Sequence, residues 1–184
     1  MNISNKELLS KTIKQDILME SLNKFYTDKS NLKTFLNVLD TKKGLSLRII
    51  DWYVTNYSKK NNCNYIICKN NKKIKFNVYI NYKLQLKGYS KKQFDPFCRR
   101  ERIKFFYNNS KDFIITTVGQ LNFFRWAIEN EIIDKIKDNN ENIEKDMNNS
   151  YRDSIKNNSK RKELSICATK KLTRENVRII VKFD

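Results

Sequence analysis

The strongest constraint on the fold is an amphipathic segment that begins after Thr117. Apolar residues recur in it every three or four positions, the period of an α-helix with one buried face: Val118, Leu121, Phe124, Ile128, Ile132 and Ile136. Thr117 followed by Gln120 forms a capping box, which marks the start of a helix. The pattern predicts one long core helix, with Phe123 and Trp126 also in the core.

The first third of the chain is predicted to be helical. Ser4 and Glu7 form a second capping box, and an apolar stripe with helical spacing follows it. A shorter helix is predicted over residues 31–40. Ser46 is predicted to cap a third helix, which contains Trp52 as a further core residue.

A period of two residues replaces the helical period after Cys63. From Ile74 to Ile80, apolar side chains alternate with more polar ones, several of them lysines. This alternation is typical of a half-buried strand. Asn70–Asn71 suits the turn before it, so we predict a mid-chain β-hairpin with lysines along its polar face.

The last part of the chain is polar and then alternates again. Residues 138–162 contain few apolar side chains and many asparagines, which predicts a linker or a mobile, weakly helical segment. Residues 163–169 and 177–184 alternate and predict a C-terminal hairpin. The two hairpins together predict one small antiparallel sheet packed on helices, and therefore an α+β fold.

The segment at residues 89–107 combines the one proline of the chain with aromatic and basic side chains. Asp95 followed by Pro96 is typical of an N-cap with proline in the first helical position. An extended backbone would place Ile103, Phe105 and Tyr107 on one side, opposite Arg102 and Lys104. We predict a short helix that turns into an extended segment.

The charge of the chain points to a polyanionic partner. The formal net charge is +18, although lysine outnumbers arginine 29 to 9, a bias that an AT-rich genome produces in any protein. The charge is nevertheless segregated, since residues 63–110 carry 12 basic and 2 acidic side chains and residues 111–151 carry 5 and 8. Codon bias alone would spread the charge more evenly, so a basic middle segment favours nucleic acid as the partner.

The residue types present disfavour most enzymatic functions. The chain has no histidine, which removes histidine-dependent nucleophiles and the commonest zinc ligand. Its three glycines form no phosphate-binding loop, and Cys63 and Cys68 would face opposite sides of one strand. The acidic residues of 129–146 leave a metal-dependent nuclease as a remote alternative. We expect no metal, no cofactor and no catalytic residue.

The hydropathy pattern gives no sign of a membrane protein. No segment is long and apolar enough to span a bilayer, and the first residues lack the apolar core of a secretory signal. The four cysteines are expected to be reduced thiols. We therefore expect a protein that is neither secreted nor bound to a membrane.

The mid-chain basic residues are the candidate nucleic-acid contacts, because cations neutralise phosphates and neighbouring rings offer stacking surfaces. Arginine carries more weight than lysine here, since it runs against the codon bias and suits bidentate phosphate contacts. Two alternatives stay open: a solvated surface, or pairing of the arginines with the acidic helix at Glu129–Asp138. The candidates are Lys73, Lys75, Lys91, Lys92, Arg99, Arg100, Arg102 and Lys104.

Several segments together resemble a known family: SLRIIDWYVTNYSKKNN (46–62), FNVYINYKLQLKGYSKKQFDPFCRRERIKFFY (76–107), TTVGQLNFFRWAIENEIID (116–134), and RKELSICATK with VRIIVKFD near the end. The family is an uncharacterised one, a domain of unknown function in giant nucleocytoplasmic large DNA viruses of the mimivirus-like and phycodnavirus kind. The resemblance covers residues 46–184, which leaves residues 1–45 as an N-terminal helical extension. It implies an AT-rich viral genome, replication in a viral factory in the host cytoplasm, and a particle that needs many basic proteins.

These observations lead to one expected function and one alternative of another class. We expect a non-enzymatic viral protein that binds DNA or RNA mainly through phosphates, in genome packaging or in viral transcription. The alternative is a virion structural or assembly protein whose basic surfaces meet acidic viral partners. The sequence leaves open the choice between DNA and RNA, the presence of the protein in the virion, and the oligomeric state.

Overall fold

The computed structural model describes residues 5–40, 45–69, 71–108 and 111–156. Residues 1–147 form one compact unit and residues 148–184 form a second. The second unit is described only over residues 148–156, which are helical. The Ser4 cap and the C-terminal hairpin lie outside the described residues, and so does the predicted pairing of that hairpin with the mid-chain hairpin.

The described residues have the predicted α+β fold. The helices are α1 (Asn5–Tyr26), α2 (Lys29–Leu39), α3 (Leu47–Trp52), α4 (Ser58–Lys60), α5 (Val78–Gln93), α6 (Val118–Glu129), α7 (Ile132–Asp138) and α8 (Asn140–Lys156), with a π-helical turn at Tyr53–Tyr57 between α3 and α4. The strands are β1 (Asn64–Lys69), β2 (Lys72–Asn77), β3 (Ile103–Tyr107) and β4 (Asp112–Thr116). Within the described ranges, β1 and β2 form one two-stranded antiparallel sheet, and β3 and β4 form another.

Capping side chains determine where two of the N-terminal helices begin. The carboxylate of Asp28 accepts the N–H groups of Ser30 and Asn31 at the start of α2. The hydroxyl of Ser46 accepts the N–H of Arg48 at the start of α3, so the prediction that Ser46 caps this helix is confirmed.

The strand predicted to reach Ile80 ends at Asn77, and the sequence did not predict the helix α5 that follows. The Asn77 side chain accepts the N–H of Ile80 at 2.9 Å and so caps α5. Val78 and Ile80 were expected on one face of a strand. They lie instead in the first turn of α5, where Val78 is buried and Ile80 is exposed.

The short helix predicted after Asp95–Pro96 is wrong, whereas the extended segment after it is confirmed as β3. Residues 94–102 are irregular and are called the 94–102 loop below. The carboxylate of Asp95 accepts the N–H of Phe97, two residues further on, at 3.1 Å. This bond closes a local turn, so Asp95 does not cap a helix.

The predicted core helix is divided into α6 and α7 at Asn130 and Glu131, where Glu131 has a φ of 57°. The Asn130 side chain donates to the Trp126 carbonyl at 2.7 Å. The Tyr65 hydroxyl donates to the Asn130 carbonyl at 2.5 Å. These side-chain bonds compete with the helical hydrogen-bond pattern and end α6 at this point.

Helix α6 lies at the centre of the hydrophobic core. Its residues Leu121, Phe123 and Phe124 are fully buried, and Trp52 and Trp126 are buried as predicted. Helices α1 and α2 contribute to the same buried cluster. The N-terminal helices therefore stabilise the core that positions α6.

The polar segment after α7 was predicted to be a linker or a weakly helical segment, and Asn140–Lys156 in it form a helix, α8. One apolar anchor, Ile143, is fully buried, and the Trp52 indole N–H donates to Asp146 at 2.9 Å. Buried apolar surface and a polar contact thus fix the first turns of this helix despite its polar composition. None of the described helices is both long and apolar enough to cross a membrane.

Candidate nucleic-acid interface

All eight candidate residues are exposed, but they belong to different elements. Lys73 and Lys75 lie on β2, and the remaining six lie on the stretch from the last turn of α5 to β3. Among these six, the structure brings Lys92 and Arg100 together at one cleft. The six are Lys91, Lys92, Arg99, Arg100, Arg102 and Lys104.

The cleft is called the basic cleft below and has a volume of about 610 Å³. Three cations line it: Lys14 from α1, Lys92 from α5 and Arg100 from the 94–102 loop. Glu101 is the one carboxylate among its described lining residues. No salt bridge joins Lys14, Lys92 or Arg100 to a carboxylate in the described part of the chain. The other lining residues are Gln15, Gln93, Ile103, Thr117 and Val118.

Arg99 is bound to a carboxylate of its own loop. Its Nε and Nη2 atoms donate to the two oxygens of Asp95 at 2.9 and 2.8 Å, and its guanidinium lies 4.6 Å from the centre of the Phe97 ring. Asp95 is only 5% exposed. Arg99 is therefore paired with Asp95, and none of the salt bridges in the described part of the chain joins it to the helix at Glu129–Asp138. The pair with Asp95 fixes the shape of the loop.

Buried polar side chains of α6 hold the 94–102 loop from the other side. The Gln120 amide donates to the Pro96 carbonyl at 2.9 Å and accepts from the Thr116 hydroxyl at 2.8 Å. The Asn122 amide donates to the Gln93 carbonyl at 2.9 Å. Each of these groups is satisfied, so the network makes the loop rigid.

A close backbone approach completes this support. The Asp95 N–H donates to the Gly119 carbonyl at 3.1 Å. A Cβ atom on Gly119 would lie 2.8 Å from the Lys92 carbonyl oxygen. Glycine at this position lets the start of α6 lie against the end of α5, which places Lys92 at the cleft. Thr117 caps α6 through the N–H of Gln120 at 3.0 Å, as predicted.

Two partly buried thiols have raised pKa values, Cys98 in the 94–102 loop and Cys63 just before β1. Burial raises the pKa of the Cys98 thiol, and the neighbouring Arg102 lowers it in part. Burial likewise raises the pKa of Cys63. Both thiols are therefore neutral at pH 7 and are not activated nucleophiles. Over the described ranges, no cluster of three or more His, Cys, Asp or Glu side chains could hold a metal ion.

Sequence reasoning missed two features of this surface. Lys14 reaches the cleft from a helix far away in the chain, and no local pattern marks it. The other feature is the exposed face of the β3–β4 hairpin, which carries Lys104, Phe106, Phe113 and Ile115. The segment DFIIT could have revealed β4, because it is short, apolar and rich in β-branched and aromatic residues.

Comparisons with known proteins agree with the giant-virus resemblance. A family model described as "Family of unknown function (DUF7197)" matches residues 2–180. An uncharacterised protein of Acanthamoeba polyphaga mimivirus is 41% identical over 169 residues, which is 89% of this chain and 64% of that relative. The chain therefore spans less than two thirds of the relative's length. No solved structure matches.

Proposed function

We propose that this chain, which belongs to the family of unknown function DUF7197, is a non-enzymatic viral protein that binds nucleic acid mainly through phosphate contacts. The role that fits such binding is genome packaging or viral transcription. The single observation that carries the proposal is the convergence of Lys14, Lys92 and Arg100 on one cleft.

The electrostatics of the basic cleft favour an anionic ligand. Three cations repel one another across the cleft, and one described carboxylate, Glu101, opposes them. A phosphate that binds between them relieves this repulsion and releases the counterions that surround the nucleic acid. The N-terminal end of α6, which lines the cleft at Thr117 and Val118, adds a partial positive charge.

We propose different roles for the candidate residues, according to where they lie. Lys92 and Arg100 are the direct phosphate contacts, joined by Lys14. Arg99 positions Arg100 through the Asp95 ion pair. Lys91 and Arg102 adjoin the cleft residues in sequence and supply additional charge, whereas Lys73 and Lys75 lie on a separate sheet.

The test is the salt dependence of binding, measured by fluorescence anisotropy with labelled DNA and RNA. The double variant Lys92→Ala/Arg100→Ala removes two cations from the cleft. It should reduce the slope of log K against log salt by about 1.4 for a single strand or about 1.8 for a duplex. The matched control, Lys33→Ala/Arg48→Ala, removes the same charge from exposed positions on α2 and α3 and should leave the slope nearly unchanged.

Two results would contradict the proposal. The first is weak binding of the unmodified protein even at low salt. The second is an equal loss of slope in both double variants, because that would mean diffuse attraction to net charge and no defined site. Absence of binding combined with stoichiometric abundance in purified particles would support the virion assembly protein instead.

A further inference from the structure

The outer face of the β3–β4 hairpin exposes two aromatic rings. Phe106 and Phe113 are direct cross-strand partners, and they are 51% and 49% exposed. The next pair on the same face is Lys104 with Ile115, and Ile115 is 50% exposed. The opposite face carries the buried residues Phe105 and Thr116. These residues anchor the hairpin in the core, so the two exposed rings are not needed for that anchoring.

The geometry of this face gives a platform of rings beside a cation. The centres of the Phe106 and Phe113 rings lie 5.7 Å apart, and the rings are tilted by 51°. The ammonium of Lys104 lies 5.1 Å from the centre of the Phe113 ring. At the tip of the hairpin, the Asn108 amide donates to Asp112 at 2.8 Å. The rings therefore stand on a short, fixed hairpin and not on a loop.

The platform follows the basic cleft along the chain but lies on the other face of β3. Ile103, the first residue of β3, lines the cleft, and Phe106 follows three residues later. At the rise of a β-strand this separation is about 10 Å, which corresponds to roughly three stacked nucleotides of one strand. A single strand with phosphates in the cleft can bring its bases to the rings by passing over the start of β3, where Lys104 lies on the same face as Phe106.

We infer that the ligand of the basic cleft is single-stranded nucleic acid, whose bases stack on Phe106 and Phe113. This inference rests on the proposed function and deepens it. Exposed bases stack on aromatic side chains beside a cationic groove, whereas the bases of a duplex are already stacked on each other and present no free ring faces. Lys104, beside Phe113, supplies a positive charge for the phosphates of the nucleotides whose bases stack on the rings.

The experiment compares binding of a labelled oligothymidylate and of a labelled duplex of equal length to the full chain. Phe106→Ala and Phe113→Ala should each weaken single-strand binding by roughly 5- to 150-fold. Duplex binding and both salt slopes should stay unchanged. The matched control is Ile80→Ala, which removes an exposed apolar side chain from α5 and should alter neither affinity.

Two further variants separate stacking from other contacts. Phe106→Leu keeps an apolar side chain but removes the ring, so it should weaken binding as Phe106→Ala does. Phe106→Trp keeps a ring, and its fluorescence should be quenched by the oligothymidylate. Trp52 and Trp126 are buried and supply a constant background.

The outcomes distinguish this inference from the proposed function. If binding depends steeply on salt but all the phenylalanine variants bind the single strand as tightly as the unmodified protein, the inference is overturned and the proposed function is not. Full affinity of Phe106→Leu, or a change of oligomeric state on sedimentation of the alanine variants, also overturns it, because the face would then be an apolar protein-docking surface. No binding of any nucleic acid by the unmodified chain overturns both.

Discussion

The ion pair between Arg99 and Asp95 is expected to stabilise the fold, in contrast to Arg100 one residue later. Arg99→Ala removes two charge-assisted hydrogen bonds. The Asp95 carboxylate, which is 5% exposed, keeps the hydrogen bond from the Phe97 N–H. Removing one partner of a fully buried pair costs about 3–5 kcal/mol. Because the Arg99 side chain is 29% exposed, water screens part of the pair, and we expect a loss of about 2 kcal/mol.

The assay is reversible urea and thermal unfolding of the full chain. A loss of about 2 kcal/mol corresponds to a fall in Tm of about 4–8 °C for a unit of this size. Arg100→Ala is the matched control, and its stability should change by no more than about 0.5 kcal/mol. A double-mutant cycle with Asp95→Asn should assign most of the loss to the pair. Equal stability of Arg99→Ala and Arg100→Ala would refute the reasoning.

Three further substitutions test the packing and the pH dependence of stability, and all three are measured by urea unfolding. Gly119→Ala should destabilise the protein by about 1–3 kcal/mol, because its Cβ would lie 2.8 Å from a backbone oxygen. Gly88→Ala should stabilise it by about 0.5–1 kcal/mol, because alanine costs less than glycine inside a helix and nothing lies within 4 Å of the added Cβ. A stabilising Gly119→Ala together with a destabilising Gly88→Ala would contradict this account of the packing. Burial raises the pKa of Tyr26 far above its ordinary value, so its contribution to stability is present below about pH 10 and is lost as the pH rises further. Tyr26→Phe removes the hydrogen bond to the Leu121 carbonyl and should lower the free energy of unfolding by about 1 kcal/mol at pH 7. This difference between the variant and the unmodified protein should shrink above about pH 10. A difference that does not change with pH would contradict the prediction.

Local sequence patterns predicted the helices and strands whose ends do not depend on contacts with distant parts of the chain. The apolar stripe of α6 and α7 was found because most of its residues are buried, although α6 is buried on nearly all sides and not on one face. Its division at Asn130 was not found, because the break depends on the Tyr65 hydroxyl, which comes from a distant strand. The strand at Ile74 was extended too far, since the alternation continues past the residue whose side chain caps α5.

The candidate site was predictable in composition but not in arrangement. All eight basic candidates are exposed, whereas the sequence left open whether the arginines pair with the acidic helix. Which cations share a cleft depends on how α1, α5 and α6 pack, so Lys14 had no local signal. The exposed rings of Phe106 and Phe113 were also missed, because a phenylalanine in a strand is more often a core residue.

The buried support of the 94–102 loop distinguishes the proposed binding surface from a surface that is merely basic. Codon bias accounts for the number of lysines, but a solvated surface needs no buried network beneath it. Here Gln120 and Arg99 hold the backbone on one side of Arg100, and Arg99 neutralises the Asp95 carboxylate that would otherwise repel a bound phosphate. Arg100 is thereby held on a rigid loop, and a ligand does not have to order that loop on binding. The loss of binding in Arg100→Ala should therefore exceed the loss in any lysine variant outside the cleft.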